Sequence, residues 1–205
     1  MKNTDPKTNI IFATPLYFKD VENPLLNNEL LKYCLSLKKK RKGRKISNVG
    51  GWQSDDVDCE HKTIVKFIDY IQSDLSEFMR LFNDNQQFRI NNMWFNINSK
   101  HHYNQEHSHE GGISNVDFSG VYYLKTSNNE KCGSIVFNNP DNKLGTSPVF
   151  SLNEIKEYSP FNSSKYISVP KDQRLLLFQS HIKHSVLPNR TSKDRISLAF
   201  NWSVV

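Results

Sequence analysis

Helical periodicity occupies the first part of this chain and stops near residue 88. Before that point Ile64, Phe67, Ile68, Ile71, Leu75, Phe78, Met79 and Phe82 recur at intervals of three and four, forming one apolar stripe. A stripe of this kind must be covered, so it predicts a core helix, closed by Asn83-Asp84-Asn85. An earlier helix is expected from Asn23-Pro24, an N-cap followed by proline at the first helical position. Leu26, Leu30, Tyr33, Cys34 and Leu37 continue it at helical spacing, into the basic run 38–45. Ahead of both, Ile10–Phe18 reads as a strand interrupted by Pro15, which confines it to a sheet edge or marks a bend.

Beyond the switch, short apolar runs alternate with turn residues. Strands are expected at 88–98, 101–107, 117–124, 133–137, 147–150, 165–169, 174–179, 184–187 and 194–204. Val49-Gly50-Gly51-Trp52-Gln53-Ser54 reads as a loop with one large aromatic. Helices followed by a run of strands make an α+β, mainly β pattern with a sandwich or barrel body. The length suits a single domain over 1–205, with helical support at about 23–83 and a β core at about 88–205. Hydrophobic residues are only 37% of the chain, but 13 Phe, 8 Tyr and 3 Trp can fill a core.

Several classes are excluded or disfavoured. No apolar run approaches the roughly 20 residues of a membrane span, and the polar start Met1–Lys7 has no signal-peptide stretch. Three cysteines without CxxC spacing argue against a disulfide scaffold or a Cys-rich zinc site, and make the cytoplasm the expected compartment. The chain has no Gly-rich phosphate loop, no GxSxG and no HExxH. Its net charge of +6 is concentrated in Lys38–Lys45. That run suits a solvated helix end, since cations favour a helix C-terminus. Nucleic-acid contact through it is the less favoured reading, because no aromatics are interleaved.

The histidines are unevenly placed. Six of seven lie between residues 101 and 184, and four fall within 101–109. His107 and His109 stand two apart, so on a strand both imidazoles share a face. His184 follows on a distant strand, and Arg195 stands eleven residues after it. Two ligands close together and a third from a distant strand is the usual logic of a metal site in a β-barrel. Imidazole suits iron, zinc, copper and nickel alike. His61, His101 and His102 read as ordinary polar residues.

Taken in order, several pieces resemble the Fe(II)/2-oxoglutarate-dependent oxygenases, more narrowly the small ones of marine bacteria and their phages. The pieces are Phe12–Tyr17, Gly51–Ser54, Trp94–Asn98, His107-Ser108-His109, Ser119–Leu124, Leu176–Ser180, His184-Ser185-Val186 and Asp194–Asn201. The resemblance implies a double-stranded β-helix (jelly roll) with supporting N-terminal helices. It also implies Fe(II), with 2-oxoglutarate and O2 as cosubstrates, and release of succinate and CO2 as a substrate C–H is hydroxylated. By the same resemblance Arg195 pairs with the far carboxylate of 2-oxoglutarate, a task suited to its planar fork. Tyr123 would join it, and Asn96 and Asn98 share a face from which they could reach the same cosubstrate or serve in structural hydrogen bonds.

The chain departs from the family at one place. Where two His and one acid are usual, His109 holds the acid position. Three readings follow: a three-His site of His107, His109 and His184; an acid supplied nearby by Glu110, Glu106 or Asp117; or a degenerate site. The three-His reading is preferred. Among substrates, a protein side chain comes first, then a small molecule or nucleobase. The rivals are a cosubstrate-independent three-His dioxygenase of cupin type, a non-catalytic jelly-roll binding module, and a nucleic-acid binder acting through 38–45. Loops 111–117 and 139–165 are the expected lids.

Overall fold

In a computed structural model, residues 13–82, 87–109, 116–140 and 162–205 are described. The expected strand at 147–150, both lids apart from residues at their margins, Glu110, the helix-closing Asn83-Asp84-Asn85 and the start of the first strand lie outside these residues.

Helix α1 spans Pro24–Lys40. The Asn23 side chain accepts a hydrogen bond from the Leu26 N–H, Pro24 opens the helix, and Lys38, Lys39 and Lys40 fill its last turn, where cations meet the negative end of the helix dipole. Helix α2 spans Lys62–Met79, with His61 as its cap and Ile64, Phe67, Ile71, Leu75, Phe78 and Met79 buried. It ends before Phe82, which is 41% exposed although its ring still packs against Phe78 and Phe118.

The strands form two antiparallel sheets. The major sheet contains β1 (Tyr17–Asp20), β3 (Trp52–Gln53), β4 (Phe88–Asn98), β6 (Phe118–Lys125), β9 (Arg174–Gln179) and β11 (Arg195–Val204), in the order β1-β9-β6-β11-β4-β3. The minor sheet contains β2 (Asn48–Val49), β5 (Tyr103–His107), β7 (Ile135–Asn138), β8 (Lys165–Ser168) and β10 (His184–Val186), in the order β2-β5-β10-β7-β8. The fold is mainly β, a double-stranded β-helix with two helices.

Three boundaries differ from the sequence reading, each for a local reason. The first strand begins only after Pro15 and lies at the edge of the major sheet, where a missing N–H costs no ladder bond. Strand β5 starts at Tyr103 because His101 turns the chain with φ 69°. The expected loop at 49–54 instead contributes two short strands, β2 joining Tyr103–Asn104 and β3 joining Asn96–Ile97. Gly50 and Gly51 let the chain cross there between the sheets; Gly50 has φ 74°, and a Cβ at Gly51 would lie 2.4 Å from Asn98 Oδ1.

The faces of the major sheet have different duties. On β11, Ile196, Leu198, Phe200 and Trp202 join the core with α1 and α2. Phe67 packs against Tyr122 and Phe200, and Phe78 against Phe118 and Trp202. The alternate residues Arg195, Ser197, Ala199 and Asn201 line a cavity between the sheets. Both faces of β11 are covered, so nine of its ten residues are buried. No helix among the described residues is long and apolar enough to cross a membrane.

Candidate metal centre

The cavity holds about 460 Å³ and is lined by both sheets. His107 ends β5, and His184 lies directly across from it on β10, the central strand of the minor sheet. Directly paired positions on adjacent strands bring side chains together; these two ring centroids are 4.4 Å apart. His109 lies just beyond the strand end, its backbone N–H donating to the Ser180 carbonyl at 2.9 Å. The three side chains offer nitrogens all within 4.8 Å of one another.

The outer nitrogen of each ring is already engaged. His107 Nδ1 lies 2.8 Å from the Gln105 carbonyl oxygen, and His184 Nδ1 lies 2.9 Å from that of Ile182. His109 Nδ1 lies 2.6 Å from Asn201 Oδ1. All three acceptors are oxygens without a proton to give, so each Nδ1 carries the hydrogen and each Nε2 keeps its lone pair. Outer-sphere acceptors of this kind fix the tautomer and ring orientation of metal-binding histidines. Burial pushes His107 down from its ordinary pKa, and holds His109 at about 4 and His184 at about 3. The rings are therefore neutral at pH 7, the state in which imidazole binds a metal.

The two nearby acids among the described residues do not join this group. Glu106 points away from its neighbour His107, is exposed, and accepts a hydrogen bond from Asn138. Asp117 accepts from the Val204 N–H at 2.9 Å at the margin of the major sheet. Glu110 lies outside the described residues. Of the other histidines, His61 stacks on Tyr33 and caps α2, and His102 accepts from Ser99 N–H; they are structural, as expected.

Arg195 sits deeper, opposite Asn98 in the β4–β11 ladder and only 2% exposed. Its guanidinium carbon lies 4.8 Å from the Tyr123 ring centroid, and Nη1 donates to Ser197 Oγ at 3.2 Å. No carboxylate pairs with it among the described residues. A buried cation without an anion is expensive, and buried polar atoms almost always have partners. Five buried side-chain atoms here have none: Arg195 Nε, Tyr123 OH, Asn96 Oδ1, Asn98 Oδ1 and Trp202 Nε1. Four of the five belong to the residues expected to meet the cosubstrate; of these, Arg195 Nε and Tyr123 OH are donors and suit a carboxylate, whereas Asn96 Oδ1 and Asn98 Oδ1 are acceptors and would need a donor instead. The two asparagines differ, however. Asn96 lines the cavity, whereas Asn98 donates to Asn104 across the two sheets at 2.9 Å.

The sequence reading did not single out Asn201 and Ser119 behind His109, Trp94 beside it, or Arg44 and Asp56 at the cavity's edge. Asn201 was legible in principle: it lies six residues after Arg195 on one strand, hence on the same face. Arg44 and Asp56 reach the cavity only through a crossing between sheets, which no periodicity reports.

A family model described as "Putative 2OG-Fe(II) oxygenase" matches residues 92–201. No curated protein matches the chain. Among solved structures, a prolyl-4-hydroxylase of Pseudomonas putida superposes with a TM-score of 0.65 at 14% identity, covering 92% of each chain. A viral collagen prolyl hydroxylase from Paramecium bursaria Chlorella virus-1, solved as a 2-oxoglutarate complex, gives 0.59 at 13% identity, covering 93% of this chain and 96% of the other. HygX from Streptomyces hygroscopicus, with nickel and 2-oxoglutarate bound, gives 0.63 at 11% identity, covering 93% and 83%. At these identities the likeness is one of fold.

Proposed function

The chain belongs to the 2OG-Fe(II) oxygenases, and on that premise we propose that it hydroxylates a substrate C–H with His107, His109 and His184 as the iron ligands and Arg195 as the anchor of 2-oxoglutarate. The observation that carries this reading is the convergence of three imidazoles, each with Nδ1 engaged by an oxygen, beside a buried arginine that has no carboxylate partner among the described residues.

When bound, Fe(II) and 2-oxoglutarate would supply the chemistry by which O2, the oxidant, gives one oxygen atom to succinate, formed with CO2 from 2-oxoglutarate, and the other to the hydroxylated substrate. The chain's own residues bind and orient. His107, His109 and His184 would hold the iron through their Nε2 lone pairs. Arg195, pressed against Tyr123, receives the far carboxylate in a dry environment where a charge-assisted hydrogen bond is strong. Tyr123 OH can donate to the same carboxylate, and Asn96 could do so only through its amide Nδ2, since Tyr123 and Asn96 both pair with Ser197. Asn98 serves as a bridge between the sheets.

A protein side chain is the first candidate substrate. Prolyl hydroxylases among the solved structures of like fold support that order, and small molecules and nucleobases follow. The test of the cofactor reading is anaerobic addition of Fe(II) and then 2-oxoglutarate to the metal-free protein. A visible metal-to-ligand charge-transfer band that is lost in His184→Ala supports it. Iron binding without a band points instead to a cosubstrate-independent dioxygenase, and no iron binding to a binding module.

A further inference from the structure

The geometry points to a primary substrate that carries a negatively charged group, received at the outer end of the cavity by Arg44. This deepens the functional reading above and rests on it.

The cavity has an inner and an outer end. Arg195 and His184 are 2% and 4% exposed, whereas the side chains of Arg44 and Asp56, on the same cavity, are 32% and 49% exposed. Arg44 and Asp56 therefore stand at the outer rim of the cavity.

Arg44 is held in place. Its backbone N–H donates to the Gln53 carbonyl at 2.7 Å, and its own carbonyl accepts from Asn48 Nδ2 at 3.1 Å. Its side chain gives Nε to the Ser54 carbonyl at 3.1 Å and Nη2 to Asp56 Oδ1 at 2.7 Å. Nη1 has no partner among the described residues. The guanidinium is thus fixed in plane with one edge free, which suits recognition of an oxyanion. Asp56 serves as its brace, the same Oδ1 also lying 3.4 Å from Asn92 Nδ2.

Charge inside the cavity argues for the same sign. The three histidines are neutral, and their outer partners are neutral amide oxygens. The two negative charges of 2-oxoglutarate offset the two of the metal, and Arg195 remains uncompensated among the described residues. A site with an acid ligand would cancel that last charge; among the described residues none is supplied. A cationic substrate would share Asp56 with Arg44 and then approach a centre of like charge. An anionic one meets a free guanidinium edge first and a positive centre after it. The basic run that ends at Arg44 and Lys45 adds attraction at longer range.

The test uses the anaerobic protein·Fe(II)·2-oxoglutarate complex and four probes built on one ring: benzoate, phenyl phosphate, benzamide and benzylammonium. A probe that binds beside 2-oxoglutarate shifts the charge-transfer band, and one that displaces it removes the band. We expect a saturable shift with benzoate or phenyl phosphate, and the stronger of the two identifies the anionic group. Arg44→Gln should weaken that probe about tenfold or more while leaving the affinity for 2-oxoglutarate unchanged, and Arg44→Lys should keep part of it. Equal binding of benzamide or benzylammonium, no shift with either anion, or no effect of Arg44→Gln overturns the inference. The band in Arg44→Gln reports that the variant is folded. Absence of the band from the unmodified protein would instead defeat the cofactor reading.

Discussion

His109 Nδ1 lies 2.6 Å from Asn201 Oδ1, across 92 residues of chain. Ser119 Oγ donates to the same Oδ1 at 2.8 Å, and Asn201 Nδ2 donates to Asn92 Oδ1 at 2.9 Å. The amide therefore cannot rotate without breaking both of these bonds. Its oxygen is aimed at His109, and that sets the tautomer of the ring.

Removing the acceptor should weaken the metal. Losing an outer-sphere partner of a ligand costs about 10- to 100-fold in metal affinity. Asn201→Leu is expected to raise the Fe(II) or Co(II) dissociation constant by that amount, while Asn201→Asp, which keeps an oxygen at the position, should restore most of it. Calorimetric titration of both variants measures this. Equal affinities in Leu and Asp would show that Asn201 only fills space.

The position of His109 can be tested by changing its chemistry. His109→Asp puts the family's usual carboxylate there and is expected to retain iron binding. His109→Leu should lose at least about tenfold in affinity, the scale of even an outer-sphere loss. No change in binding for either variant would remove His109 from the ligand set.

Arg195 should act on the cosubstrate and not on the metal. Arg195→Gln is expected to weaken 2-oxoglutarate by about 10- to 100-fold, the scale of a lost charge-assisted hydrogen bond, with metal affinity unaltered. Titration of the charge-transfer band at fixed iron gives both numbers. Loss of metal affinity alongside would mean that the substitution disturbs the sheet, since Arg195 is only 2% exposed.

Acid should destabilise the metal-free protein. Burial holds His184 at about 3 and His109 at about 4, against about 6.5 in an unfolded chain. Between those values the unfolded chain binds protons that the folded one does not. Stability therefore rises with pH up to about 6.5 and falls away below it. Melting temperatures of the metal-free protein between pH 4.5 and 7.5 should show that slope, and His184→Gln should flatten it. An unchanged slope in the variant would assign the acid sensitivity to other groups.

The helical layer should matter through packing alone. Phe67 is fully buried between Tyr122 and Phe200, and Phe67→Ala is expected to cost about 3–5 kcal/mol. Leu25, 79% exposed on α1, should tolerate alanine within about 0.5 kcal/mol. Denaturant melts of the two variants check the contrast.

Much of this arrangement was legible before any coordinates. Both helices and the change to strands follow from periodicity, and the His107, His109 and His184 set from spacing, because helix and strand each impose their own repeat on which residues share a face; the part given to Arg195 came from the family resemblance. The short strands at 48–49 and 52–53 were not, since two residues carry no periodic signal. Strand β11 illustrates a different limit. Its alternation of polar and apolar residues resembles a strand with one face in water, yet Arg195, Ser197 and Asn201 are all buried. A polar face turned to solvent and one turned to a polar cavity look the same in one dimension. The sequence by itself determined which side chains share a face of each strand. Tertiary structure alone decided what each face meets: that His184 lies across from His107, that Asn201 reaches His109 from 92 residues away, and that Arg195 meets no carboxylate among the described residues. Those relations depend on how two sheets pack on each other, and no local rule along the chain specifies that.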